Sequence, residues 1–98
     1  QNFAFNGYLP IDKQVRRKTL KILERKVQEG QSQLFIETPY RNQQLLSDLI
    51  ETLQPDTLLC IATDLTLPTE SIRTLPIRQW KHTSVDLQKR PTLFIIGR

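Results

Sequence analysis

Apolar positions in this chain fall into short β-like runs separated by two helical stripes. Phe3 to Leu9 reads as a strand that stops at Pro10. Asp12 is placed to cap a helix, and Val15, Thr19, Leu20, Ile22, Leu23 and Val27 recur at helical spacing until Gly30 ends the pattern. Gln33 to Glu37 is a second strand. Leu45, Leu46, Leu49, Ile50 and Leu53 follow at i, i+1, i+4, i+5 and i+8, which predicts an amphipathic helix over 40–53 that Gln54-Pro55-Asp56 ends. Thr57 to Ala62 is almost wholly apolar, as in a strand covered on both faces. Pro68 sits in a loop over 64–70. Beyond it come a short strand over 71–75, a short helix over 76–82 with Trp80 inward, a polar connector over 84–90, and a last apolar strand over 92–96 that ends at Gly97.

The order is β-α-β-α-β-β-α-β. Strands linked by helices predict parallel neighbours, and the adjacent strand pair over 57–75 predicts an antiparallel one. The expected fold is therefore α/β, a small mixed but mostly parallel β-sheet flanked by helices. Ninety-eight residues make one domain.

The segment Phe35-Ile36-Glu37-Thr38-Pro39-Tyr40-Arg41 is where a strand hands over to a helix. Pro39 suits a first helical position, and Thr38 is placed to cap the turn. Open α/β sheets place ligands at such strand ends, where free amides and Arg41 would favour an anionic or polar group. The plain alternative is an ordinary strand-to-helix turn.

Charge sharpens this picture. The net charge is +4 with a pI near 9.6. Seven of the fourteen basic residues (Lys13, Arg16, Arg17, Lys18, Lys21, Arg25 and Lys26) fall on the first helix and are expected on its outer face, as a phosphate-contacting ridge or a solvated surface. Glycine is scarce: Gly7, Gly30 and Gly97 form no phosphate-cradling loop. His82 has no second histidine or cysteine pair beside it, which argues against zinc. Cys60 lies in an apolar run and reads as a small buried hydrophobe, in keeping with a reducing, cytoplasmic setting. No run approaches the ~20 apolar residues of a membrane span. The chain enters strand-like sequence at Gln1-Asn2-Phe3 without an initiating Met, which predicts a piece of a longer protein.

Four motifs occur in one order: Asn6-Gly7-Tyr8-Leu9-Pro10, the basic helix with Arg16-Arg17-Lys18, Phe35 to Arg41, and Ala62-Thr63-Asp64-Leu65-Thr66 followed by Glu70. Together they resemble the carboxyl-terminal domain of the tetrapyrrole methylase superfamily, the class III S-adenosylmethionine-dependent methyltransferases. The branch most similar is that of ribosomal RNA small-subunit methyltransferase I. The resemblance runs from about Phe3 to Gly97. It implies a two-domain enzyme whose amino-terminal domain is the missing partner, with S-adenosylmethionine held between the two. It implies cofactor-facing positions at Glu37, Thr38, Pro39, Ala62 and Thr63, substrate-side positions at Arg41, Arg16 and Arg17, and an RNA ribose 2′-hydroxyl as methyl acceptor. It names no catalytic base. Members of such a class are often dimers, and no self-complementary patch is legible here. Thr38, Tyr40, Thr63 and Asp64 stand where the RNA branch has Ser, His, Arg and Glu. The Ala-Thr pair is closer to the corrin and porphyrin branch, so a tetrapyrrole acceptor stays open, as does a non-catalytic module that binds RNA or protein.

Overall fold

The computed structural model describes residues 2–98; Gln1, where the expectation of a longer protein begins, lies outside the described residues. Its elements are β1 (Phe3–Tyr8), α1 (Lys13–Gln28), β2 (Ser32–Ile36), α2 (Asn42–Thr52), β3 (Leu58–Thr63), β4 (Ser71–Pro76), α3 (Ile77–Trp80) and β5 (Thr92–Gly97). The order is the one the hydrophobic pattern predicts.

The strands form one mixed sheet in the order β1-β2-β5-β3-β4. Only β1 and β2 are parallel neighbours; β2 with β5, β5 with β3, and β3 with β4 are antiparallel. The expectation of a mostly parallel sheet is thus corrected. β1, β2 and β3 do run in one direction, but β5 returns between β2 and β3 and opposes both. A strand seated there pairs its backbone groups on both sides.

Alternation along the strands divides the sheet into two faces. Phe35, Leu59, Ile61, Phe94 and Ile96 point to one face and pack with Leu20, Leu23 and Val27 of α1, Leu45, Leu46 and Leu49 of α2, and Ile77 and Trp80 of α3. The rings of Phe35 and Phe94 stack at 6.0 Å, and the Trp80 indole N–H donates to the Leu59 carbonyl at 2.9 Å. Register puts Phe3, Phe5, Leu34, Ile36, Leu58, Cys60, Ile95 and Ile72 on the opposite face. Phe3, Phe5 and Ile72 are exposed there, and Leu58 and Cys60 are half-buried. The expectation that this strand is covered on both faces, with Cys60 buried, does not hold: the described helices pack on one face, giving two layers.

α1 starts as predicted, with the Asp12 carboxylate accepting from the Val15 N–H at 3.0 Å. Gly30 follows the helix at φ +102°, a conformation that favours glycine. Its buried stripe, however, is Arg16, Leu20, Leu23, Glu24 and Val27, while Val15 and Ile22 are about half exposed. Two charged residues occupy core-facing positions because partners meet them inside. Glu24 accepts from the Gln54 N–H at 2.8 Å and from the Thr57 hydroxyl at 2.5 Å. α2 buries Leu45, Leu46 and Leu49 as its spacing demands.

Candidate functional site

β1, β2 and β3 end at one edge of the sheet, where β4 and β5 begin. Thr63 lies opposite both Ser71 and Thr92, and Ile36 lies opposite Leu93. Leu9-Pro10, Glu37-Thr38, Asp64 and Pro91-Thr92 therefore converge on this carboxyl edge. An apolar cavity of about 230 Å³ opens here, lined by Ala62, Asp64, Leu65, Leu67, Pro91, Thr92 and Leu93.

The sequence-predicted residues divide around it. Ala62 lines the cavity. Thr63 is next to it but turned to the helix-covered face, where it is buried and its hydroxyl reaches the Ser71 carbonyl at 3.4 Å. Glu37, Thr38 and Pro39 share the edge without lining the cavity. The Glu37 side chain is buried and both of its oxygens are occupied: Oε2 by Arg16 Nη2 at 2.6 Å and Oε1 by the Thr38 N–H at 2.8 Å. Thr38 makes no side-chain cap, and Pro39–Arg41 form a 3-10 turn ahead of α2. The expected free amide at this strand end is thus taken by the carboxylate next to it. Arg41 is exposed, and none of the described residues offers it a carboxylate within ion-pair distance.

Arg16 is placed differently from the exposed ridge expected of it. It is 2% exposed, donating through Nε to the Pro10 carbonyl at 2.8 Å and through Nη1 to Asp48 at 3.0 Å as well as to Glu37. Asp48 also accepts from the Gln44 amide at 3.1 Å. A guanidinium with its donors spent on buried acceptors cannot also meet a phosphate; it instead ties the β1 and β2 strand ends to α2. Arg17 stays at the surface, paired with Glu51 at 2.7 Å. Lys18, Lys21, Arg25 and Lys26 are exposed and have no carboxylate partner among the described residues, so the basic ridge survives without Arg16.

Sequence reasoning found a polar connector over 84–90 but missed its part in the site. It carries Pro91 into the cavity wall, and Arg90 binds across to the loop after β3. Arg90 Nε donates to Asp64 Oδ2 at 2.9 Å, and Nη2 donates to the Thr69 carbonyl at 3.1 Å. The Thr69 hydroxyl adds a bond to the same Asp64 oxygen at 2.8 Å. That hydroxyl, together with Arg90, lowers the Asp64 pKa below 3.8, outweighing the opposing effect of burial. Asn42 at the start of α2 pins the connector by donating to the Arg90 carbonyl at 2.7 Å and to Thr92 Oγ1 at 3.1 Å. No hydrophobic period marks such a segment; the only signal was Asp64 within the fourth motif. His82 is exposed, and no group of three His, Cys, Asp or Glu that could hold a metal occurs among the described residues.

Searched against protein-family models, the chain finds no match. It is 33% identical over 70 residues to ribosomal RNA small subunit methyltransferase I of Buchnera aphidicola subsp. Schizaphis graminum (strain Sg), covering 71% of this chain and 24% of that protein. Its fold superposes on the crystal structure of the methyltransferase CobJ with a TM-score of 0.64 and 17% identity, covering 100% of this chain and 41% of CobJ. The chain has the tetrapyrrole methylase fold. The same tetrapyrrole methylase fold is found in uroporphyrin-III C-methyl transferase from Thermus thermophilus, solved in complex with S-adenyl homocysteine. There the TM-score is 0.57 at 14% identity, over 98% of this chain and 41% of that one. The chain spans about a quarter of the curated relative and about two fifths of the solved structures.

Proposed function

We propose that this chain is the carboxyl-terminal domain of an S-adenosylmethionine-dependent methyltransferase, completing a cofactor cleft with an amino-terminal domain of the same polypeptide and acting on an RNA ribose 2′-hydroxyl. The observation that carries the cofactor reading is the apolar cavity at the carboxyl edge. Ala62, Leu65, Leu67, Pro91 and Leu93 give it the walls a flat aromatic base needs, and the one carboxylate at its rim, Asp64, is already paired. Its 230 Å³ falls short of the ~300–1,000 Å³ of complete ligand sites, which fits a half-site closed by a second domain. The neighbour solved with S-adenyl homocysteine supports the same ligand class.

S-adenosylmethionine, when bound, supplies an electrophilic methyl group. The chain's part is to bind and orient. Pro91 and Leu93 with Leu65 and Leu67 exclude water from the apolar portion, and the paired Arg16–Glu37–Asp48 group fixes the strand ends beside it. Arg41 and the Lys18, Lys21, Arg25 and Lys26 ridge face solvent, free to meet phosphates. The RNA acceptor is favoured by that ridge and by the name of the curated relative. A tetrapyrrole acceptor is the second reading, favoured by the uroporphyrin-III neighbour.

The test is calorimetric titration of S-adenosylhomocysteine into the two-domain polypeptide, with the 98-residue chain as control. Micromolar binding by the former and little by the latter is expected. No binding by either sinks the cofactor reading and leaves a non-catalytic module.

A further inference from the structure

Among the described residues, three other than glycine adopt the left-handed backbone region: Asp64 at φ 52°, Thr66 at 68° and Lys89 at 58°. All three lie in the two loops that border the cavity, 64–70 and 84–91. Such conformations are costly for side-chain-bearing residues, persist only when their surroundings hold them, and gather at ligand sites. One side chain spans the two loops that contain them. The Arg90 guanidinium grips the first loop at both ends, through Asp64 Oδ2 at 2.9 Å and the Thr69 carbonyl at 3.1 Å, and grips its own connector through the Asp86 carbonyl at 3.1 Å. Within the first loop the Thr66 N–H donates to Glu70 at 2.7 Å. At the far end the Lys89 N–H donates to the Pro39 carbonyl at 3.2 Å, tying the connector to the turn after β2.

We propose that Arg90 is a positioning residue for the cavity: it latches the 64–70 loop, which carries Leu65 and Leu67, against the connector that carries Pro91, and so fixes the rim on which a ligand's apolar part would rest. This rests on the cofactor-cleft reading above. An ordinary surface ion pair contributes little, but this one differs on two counts. The Asp64 side chain is only 9% exposed, and the fork spends separate nitrogens on acceptors from two loops. A lysine keeps the charge but offers one ammonium where three acceptors are spread around a planar fork, so Arg90→Lys does not restore the latch.

The experiment compares wild-type protein with Arg90→Ala, Arg90→Lys and Asp64→Asn by residue-resolved amide hydrogen exchange and by calorimetric titration of S-adenosylhomocysteine, using the two-domain polypeptide. Asparagine tolerates the left-handed conformation well, so Asp64→Asn replaces the charged acceptor of the latch with a weaker neutral one, without backbone strain, and serves if Arg90→Ala fails to fold. Exchange across 64–70 is expected to rise at least tenfold in each variant, with α1 and α2 unchanged, and affinity to fall at least tenfold. Arg78→Ala, which removes the exposed pair with Asp56, should move neither readout. Unchanged exchange in the loop overturns the latch. Faster exchange with wild-type affinity overturns the positioning role. Absence of binding by the wild type strikes the cofactor reading, and the latch is then decided by the exchange data.

Discussion

Arg16 sits where a helix packed on a sheet ordinarily carries a leucine. Its neighbours along the stripe are Leu20 and Leu23, and it is as buried as they are. Three acceptors surround it, two of them carboxylates. Removing one partner of a buried ionic group leaves the others desolvated and unpaired, at a cost of roughly 3–5 kcal/mol. Arg16→Ala is therefore expected to lower the unfolding free energy by about that amount in urea titration, whereas Arg17→Ala, at an exposed pair, should cost under about 1 kcal/mol. A near-neutral Arg16→Ala would return the residue to the surface role its sequence suggested. Asp64 makes a different prediction. Its carboxyl is held below 3.8 in the fold, so its contribution is fully present above the ordinary carboxylate value and is lost as pH falls through the lowered one. Loop 64–70 should thus open in acid before the core does, and Asp64→Asn, with no proton to gain, should flatten that pH dependence in hydrogen exchange.

Among the elements, α2 was legible because it is apolar on one side and polar on the other, and the strands because each is a short, largely apolar run bounded by polar, Pro or Gly residues. α1 was legible as a helix but not in its facing. A reading that sends charge outward places Arg16 at the surface and Ile22 in the core; the packed helix does the reverse, since its core-side charges find partners on α2 and around β2 and β3 that no local pattern reveals. The connector over 84–91 has no period at all, and its role depends on Asn42, Gln43 and Asp64, far away in the chain. What remains of the basic ridge is Lys18, Lys21, Arg25 and Lys26, spanning ~12 Å of helix. Replacing all four with glutamine should leave thermal stability nearly unchanged. If RNA binds there, the slope of log K against log salt should fall by up to ~0.7 per lost contact on a single strand. An unaltered slope would move the RNA surface elsewhere, Arg41 being the next candidate.

For the whole molecule, the number and order of elements followed from pattern, and strand neighbours did not. Alternating strands and helices suggest parallel pairing, yet nothing local says that the final strand will insert between the second and third. That insertion has a kinetic side. Gln33 pairs with Ile96, and Ile61 with Phe94, so the middle of the sheet is made by a segment synthesised after both of its neighbours. Until β5 arrives, the parallel β1–β2 pair and the antiparallel β3–β4 pair are two separate two-stranded units with open edges, each too small to be stable alone. Pairings this distant in sequence are slow to close. A chain cut after Pro91 should show no cooperative melting by circular dichroism. During synthesis the domain should stay sensitive to protease, and dependent on whatever shields its half-built sheet, until β5 is free to pair.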